Sequence, residues 1–198
     1  MSMNNAGAGG DAVEERLFVR AFVAIRLDDA VRDALSFAIG HARSCPARVA
    51  WVPAGNLHLS VVFLGNVPRG MVERLASTLD EAVAGVGPFC ARVKGVGIFG
   101  RRVVWAGAEA PAALFVAHRR VVEGVARLGV QVDNRPYRPH ITLGRIKSGA
   151  GDLAGMLRNL GSPDFGALTV NEVTLMRSEL HPAHAVYSPL HTARLEGE

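Results

Sequence analysis

Two short runs hold residue types that could carry out acid–base chemistry: His58-Leu59-Ser60-Val61 and His140-Ile141-Thr142-Leu143, each reading His, apolar, hydroxyl, apolar. On an extended strand side chains alternate between faces, so each histidine and the hydroxyl two residues later point the same way. The apolar residues between and around them, Leu57, Leu59, Val61 and Phe63 in one copy and Ile141 and Leu143 in the other, are expected to enter a core. A single motif of this kind recurs by chance. A second copy in a matching strand-like run, with each run ending in a glycine (Gly65 and Gly144), is much harder to obtain by accident. The two copies are far enough apart for each to belong to its own half of the molecule.

Two imidazoles facing one centre suit displacement at phosphorus, which is in line: the attacking and leaving oxygens lie on opposite sides, and one needs a base, the other an acid. Histidine titrates near pKa 6.5, so a neutral and a protonated copy coexist near neutral pH. Each positioned acid or base commonly contributes on the order of 10²- to 10⁴-fold. The hydroxyls of Ser60 and Thr142 are expected beside the phosphate, donating to the oxygens on which negative charge grows. Arg138 shares the parity of His140 and Thr142 and ranks first as a charged phosphate contact, while Arg145, of opposite parity on a regular strand, ranks second. Phe99 and Tyr137 are candidates for stacking on a base.

The elements that must hold these residues are legible from periodicity and turn chemistry. LFVRAFVAIRL, residues 17–27, is a continuous β-favouring run. Asp28 or Asp29 caps a helix to about Arg43 with Val31, Leu35, Ala38, Ile39 and Ala42 on one stripe. A short strand at 48–52 and the turn Pro53-Ala54-Gly55-Asn56 precede the first histidine strand at about 57–64. Helices are expected at about 69–84, from Leu114 to Leu128, and at about 152–160. Strands are expected at 89–99 and 102–106, joined by a basic hairpin tip at Gly100-Arg101, then at 140–146, 166–180 and 185–195. This order is an α+β pattern with some internal duplication. No Walker-type loop is present, and Gly95-Val96-Gly97-Ile98-Phe99-Gly100, which spells Gly-x-Gly-x-x-Gly, lies inside a strand-like run and does not open a helix as a dinucleotide fingerprint does.

Composition narrows the function classes. About half of the 198 residues are hydrophobic, enough for a substantial core in a single domain at residues 16–198. Residues 1–15 are rich in Gly, Ala and Asn and are expected to be a disordered tail. No apolar run approaches the roughly 20 residues of a membrane span, and no secretory signal is evident, so a soluble cytoplasmic monomer is expected. Cys45 and Cys90 lack paired spacing and read as free, mostly buried thiols. Omitting the three carboxylates of the tail leaves 22 basic residues against 15 acidic ones, twenty of the basic ones arginine. That balance is consistent with an anionic or nucleic-acid partner. His181, His184 and His191 lack the frame and carboxylate partners of a zinc site, so no metal site is expected. His118, on an apolar stripe, reads as structural.

The paired motifs resemble those of the two-histidine phosphoesterase superfamily, and most closely the RNA 2′,3′-cyclic phosphodiesterase group, also called 2′-5′ RNA ligase-like. The resemblance extends to Arg16-Leu17-Phe18-Val19, Trp51-Val52-Pro53, Phe63-Leu64-Gly65, Val104-Trp105-Ala106-Gly107, Arg138-Pro139-His140 and Leu175-Met176-Arg177-Ser178-Glu179-Leu180, and so covers about residues 16–195. It implies a bilobal α+β fold, two pseudo-symmetric lobes of antiparallel sheet with outer helices and a central cleft. It also implies opening of RNA-terminal or nucleoside 2′,3′-cyclic phosphates to 2′-phosphates without a metal or other cofactor. By that likeness His58 protonates the leaving 3′ oxygen, His140 activates water, and Ser60 and Thr142 bind phosphate. Ser60 stands where threonine is common. Reversible 2′-5′ ligation, hydrolysis of a small cyclic nucleotide, and a non-catalytic RNA- or nucleotide-binding module are the alternatives.

Overall fold

The computed structural model describes residues 17–133, 135–181 and 184–197. The expected tail at 1–15 lies outside them. Among the described residues nine strands and four α-helices follow in the order β1 (Phe18–Arg26), α1 (Asp29–Ala42), β2 (Arg48–Trp51), β3 (His58–Pro68), α2 (Val72–Val83), β4 (Phe89–Phe99), β5 (Val103–Glu109), α3 (Ala112–Arg127), β6 (His140–Ser148), α4 (Ala150–Leu160), β7 (Asp164–Val170), β8 (Glu172–Leu180) and β9 (Ala185–Arg194). The first helix starts where its cap dictates: the Asp28 carboxylate accepts from the Val31 backbone N–H at 2.9 Å, satisfying one of the orphan donors of the first turn.

The strands form one antiparallel sheet in the order β7-β4-β5-β6-β3-β1-β8-β9, with β2 added beside β6. The order is the same read from either end about the β6–β3 seam, with β6 matching β3, β5 matching β1, β4 matching β8 and β7 matching β9. Each half is one lobe, and each histidine strand lies innermost in its own lobe. The seam is narrow, since Leu59 opposite Ile141 is its one bridged pair among the described residues. Both side chains are fully buried, so the strands meet on their apolar side and splay elsewhere.

The sequence reading of a single long strand at 166–180 needs correction. It is two strands, β7 paired with β4 and β8 paired with β1, separated only by Asn171. One residue moves the chain by about 3.8 Å, yet these strands stand far apart in the hydrogen-bonded order, so the sheet curls until its β7 edge reaches β8. β2 also changes lobes, lying between β1 and β3 in sequence but pairing with β6.

The helices close the convex side with the stripes their periodicity presents: Val31, Leu35 and Ile39 from α1, Leu75, Leu79 and Val83 from α2, Leu114, Val121 and Val125 from α3, and Leu153 and Leu157 from α4, all in one continuous core. Where α2 meets α3, Gly124 leaves room for the Thr78 methyl group. The cysteines are free, but Cys90 is exposed and Cys45 only half-buried, because Cys90 lies on the face of β4 turned away from the core.

Candidate active site

The register of the seam fixes the geometry. Leu59 opposite Ile141 brings the two motifs together, and in each strand the histidine and the hydroxyl flank that buried residue. All four side chains therefore leave the face opposite the buried pair, toward the space between the lobes. His58, Ser60, His140 and Thr142 are half-buried, as expected of groups that line a cleft.

Both imidazoles are held in the same way. His58 Nδ1 lies 2.8 Å from the Asn56 carbonyl oxygen, and His140 Nδ1 lies 2.7 Å from the Arg138 carbonyl oxygen. A carbonyl only accepts, so Nδ1 must carry the hydrogen in each ring. Nε2 is thereby left free on both, a lone pair when the ring is neutral and an N–H when it is charged. Asn56 is itself anchored, its side-chain amide donating to the Ala185 carbonyl at 2.5 Å.

Matching bulges shape the rest of the site. Along β3, Ala24 pairs with Ser60 but Val23 pairs with Val62, so Val61 is extra. Along β6, Trp105 pairs with Thr142 but Val104 pairs with Gly144, so Leu143 is extra. Each bulge follows the hydroxyl and inverts the parity beyond it. Arg145 is thus turned onto the cleft face, against the regular alternation from which it was ranked second. Phe63, expected in the core, is instead 53% exposed on the cleft rim, beneath the guanidinium of Arg20 at 4.8 Å from its ring centre. Phe63 and Arg145 occupy equivalent positions in the two lobes.

The surroundings of the histidines differ. His58 is flanked by Phe22 with ring centres 4.9 Å apart and meets the edge of Tyr187 at 5.4 Å. Burial lowers its proton affinity below the usual histidine value, the hydrogen bond to Asn56 works in the other direction, and the charge of His140 lowers it further. Tyr187 has its own proton affinity raised by burial, with the charges of Arg145 and then Arg20 pulling it back. His140 meets the edge of Phe99 at 5.1 Å, and Phe99 stacks on Trp105 at 4.9 Å. The indole lies flat because Gly97 has no Cβ to obstruct it, which gives Gly95-Val96-Gly97 a packing role. The Trp105 indole N–H is buried without a partner among the described residues.

A cleft of about 610 Å³ runs past Ser60, Phe63, Phe99, Arg138, His140, Thr142 and Arg145. A second cavity, of about 510 Å³, is lined by His58 together with Phe22, Asn56 and Tyr187. Arg138 is exposed at the rim. Tyr137 also lines this cleft; its hydroxyl donates to the Ser60 carbonyl at 2.9 Å, and its ring is stacked by His118 at 4.0 Å. It braces the approach to β6 against β3. His191 Nε2 lies 2.8 Å from an Asp80 carboxylate oxygen, a hydrogen bond between β9 and α2. Among the described residues no group of three or more His, Cys, Asp and Glu side chains is arranged to hold a metal ion. The sequence reading missed Phe22, Trp105 and Tyr187 as parts of the cleft, and only the glycines opposite Trp105 signalled that its ring needs space.

Comparison with known proteins fits this geometry. The sequence profile described as "2′-5′ RNA ligase superfamily" matches residues 28–182. A protein of Methanothermobacter thermautotrophicus named RNA 2′,3′-cyclic phosphodiesterase is 34% identical, the match covering 89% of this chain and 99% of that one. Among solved structures, TT0787 of Thermus thermophilus superposes with a TM-score of 0.78 at 32% identity, covering 90% of this chain and 99% of that one. E. coli LigT in its apo form superposes with a TM-score of 0.73 at 29% identity, covering 90% and 98%. The expected bilobal α+β fold of the two-histidine phosphoesterases is the fold observed, and the chain belongs to the 2′-5′ RNA ligase superfamily.

Proposed function

We propose that the protein hydrolyses 2′,3′-cyclic phosphates at RNA ends or on nucleosides to 2′-phosphates, with His58 and His140 as the acid and base. The observation that carries this reading is the pair of histidine–hydroxyl motifs brought together where Leu59 meets Ile141, with Nδ1 of each ring committed to a backbone carbonyl and Nε2 left for substrate. The relatives named RNA 2′,3′-cyclic phosphodiesterase support the reaction class.

In the proposed reaction a water attacks phosphorus opposite the bond to the 3′ oxygen. His140 Nε2 takes the proton of the water, the P–O3′ bond breaks, and His58 Nε2–H gives its proton to the departing 3′ oxygen. The roles of the histidines are the ones implied by the family resemblance. The lowered proton affinity of His58 makes it a readier donor once charged, and the negative charge of a bound phosphate restores that proton. Ser60, Thr142, Arg145 and Arg138 receive the non-bridging oxygens. Phe99 and Phe63 offer apolar rims to the nucleoside.

The test is incubation with nucleoside 2′,3′-cyclic phosphates in EDTA, with the position of the product phosphate read by phosphorus NMR. Formation of the 2′-phosphate is the expected result. A 3′-phosphate product, or loss of turnover in EDTA, would overturn the mechanism. Tight binding of the same nucleotides with no turnover would favour the non-catalytic module.

A further inference from the structure

The tip of the β4–β5 hairpin is built at a cost that the fold itself does not require. Phe99 accepts from the Arg102 backbone N–H at 2.9 Å to close the turn, and its central residues Gly100 and Arg101 have φ of 52° and 60°. Positive φ at both central positions is the requirement of a type I′ turn, for which glycine or asparagine is the low-strain choice at the second one. Arg101 is the one non-glycine residue at positive φ among those described, and strain of this kind points to a use for the side chain. Arg101 and Arg102 are both exposed.

The tip continues the cleft. Val103 pairs with Arg145, the Arg102 carbonyl accepts from the Ile146 N–H at 2.8 Å, and Phe99 at the foot of the hairpin touches His140. A line of cations therefore runs from Thr142 to Arg145 and off the end through Arg102 and Arg101. None of these three arginines is in an ion pair among the described residues. In the facing lobe several arginines are instead offset by carboxylates: Arg26 by Glu172 at 2.5 Å, Arg177 by Glu179 at 2.9 Å, and Arg32 by Asp29 at 2.8 Å.

We propose that Arg101 and Arg102 dock the sugar–phosphate backbone of single-stranded RNA whose cyclic-phosphate end occupies the cleft, so that the strand leaves over the β4–β5 hairpin and away from the ion-paired arginines of the facing lobe. This rests on the cyclic phosphodiesterase reading and adds the path of the polymer to it. A strand leaving this way presents one phosphate after another to unpaired guanidiniums, and binding of this kind weakens with salt by roughly 0.7 in log–log slope per neutralised phosphate on a single strand.

The test compares wild type with the double variant Arg101→Gly/Arg102→Gln on two substrates, a nucleoside 2′,3′-cyclic monophosphate and a short unstructured oligoribonucleotide ending in a 2′,3′-cyclic phosphate. Glycine relieves the turn, so the variant should melt no lower than wild type. Its kcat/KM for the oligonucleotide should fall about tenfold at low salt with a salt slope shallower by roughly 1.4, two contacts' worth, while the mononucleotide stays within about twofold. Equal losses on both substrates, or no loss on the oligonucleotide, would overturn the proposal. Should wild type turn over neither substrate, the cyclic phosphodiesterase reading fails by itself. The docking surface is then read from fluorescence anisotropy of the same oligonucleotide, where equal affinity of the two proteins sinks it and weaker, less salt-sensitive binding by the variant supports it.

Discussion

Around His58 the close neighbours are the rings of Phe22 and Tyr187; around His140 there is one ring edge, from Phe99, and beyond the same bulge stands Arg145 where the first lobe has Phe63. The backbones are alike in register, in bulge position and in the carbonyl two residues upstream that holds Nδ1. A duplicated backbone thus delivers two equivalent imidazoles, and the side chains around them make one harder to protonate. A bound substrate sets its attacking water beside one imidazole and its leaving oxygen beside the other, so these different surroundings meet two different tasks.

The comparison can be broken most severely at the histidines. His58→Ala and His140→Ala should each lower kcat on a nucleoside cyclic phosphate by about 10²- to 10⁴-fold with the far-ultraviolet spectrum unchanged. A loss confined to one of the two would mean that the symmetry of the backbone is not used in the reaction. Next comes the pair beyond the bulges. Arg145→Gln removes a charged donor of the kind typically worth about 1.5–3 kcal/mol, or a loss of about 10- to 100-fold in kcat/KM, whereas Phe63→Leu should cost less than tenfold. Equal effects would show that the two positions, though equivalent in the fold, do the same work.

Smaller effects sharpen the contrast. Ser60→Thr makes the motifs identical, adds a methyl group and stiffens χ1; steady-state kinetics should stay within about threefold, and a larger drop would mark the serine as a fitted choice. The smallest effect concerns stability and pH. Burial lowers the proton affinity of both His58 and His118 in the folded protein, so below about pH 6.5 the unfolded chain binds more protons. The stability these neutral rings contribute is complete above that pH and falls as the pH drops toward their folded values. Melting temperatures measured from pH 7.5 to 5 should decline, and less steeply in His118→Gln; parallel curves would show that His118 contributes nothing to the slope.

Much of this was legible in the sequence where the signal is local. The histidine motifs, the Asp28 cap and the helix stripes depend on neighbours within a few positions, and short-range stereochemistry fixes them. Phe63 was misplaced, and the face of Arg145 misread, because parity counting assumes a regular strand, and a bulge is a property of two strands that meet only in the fold. The same reason hid the break at Asn171: β7 and β8 read as one run because both are apolar and extended, and only their partners β4 and β1 separate them. Tyr187 reaches His58 from a strand distant in sequence, and no local pattern announces such a neighbour.

The passage at Asn171 has a further effect on motion. Together with the excursion to β2 and the connection from β3 through α2 to β4, it makes the chain pass between the lobes four times. A hinge works by bending a few residues, and here every crossing would have to bend in concert for the lobes to swing apart. Four crossings therefore oppose a swing of one lobe against the other.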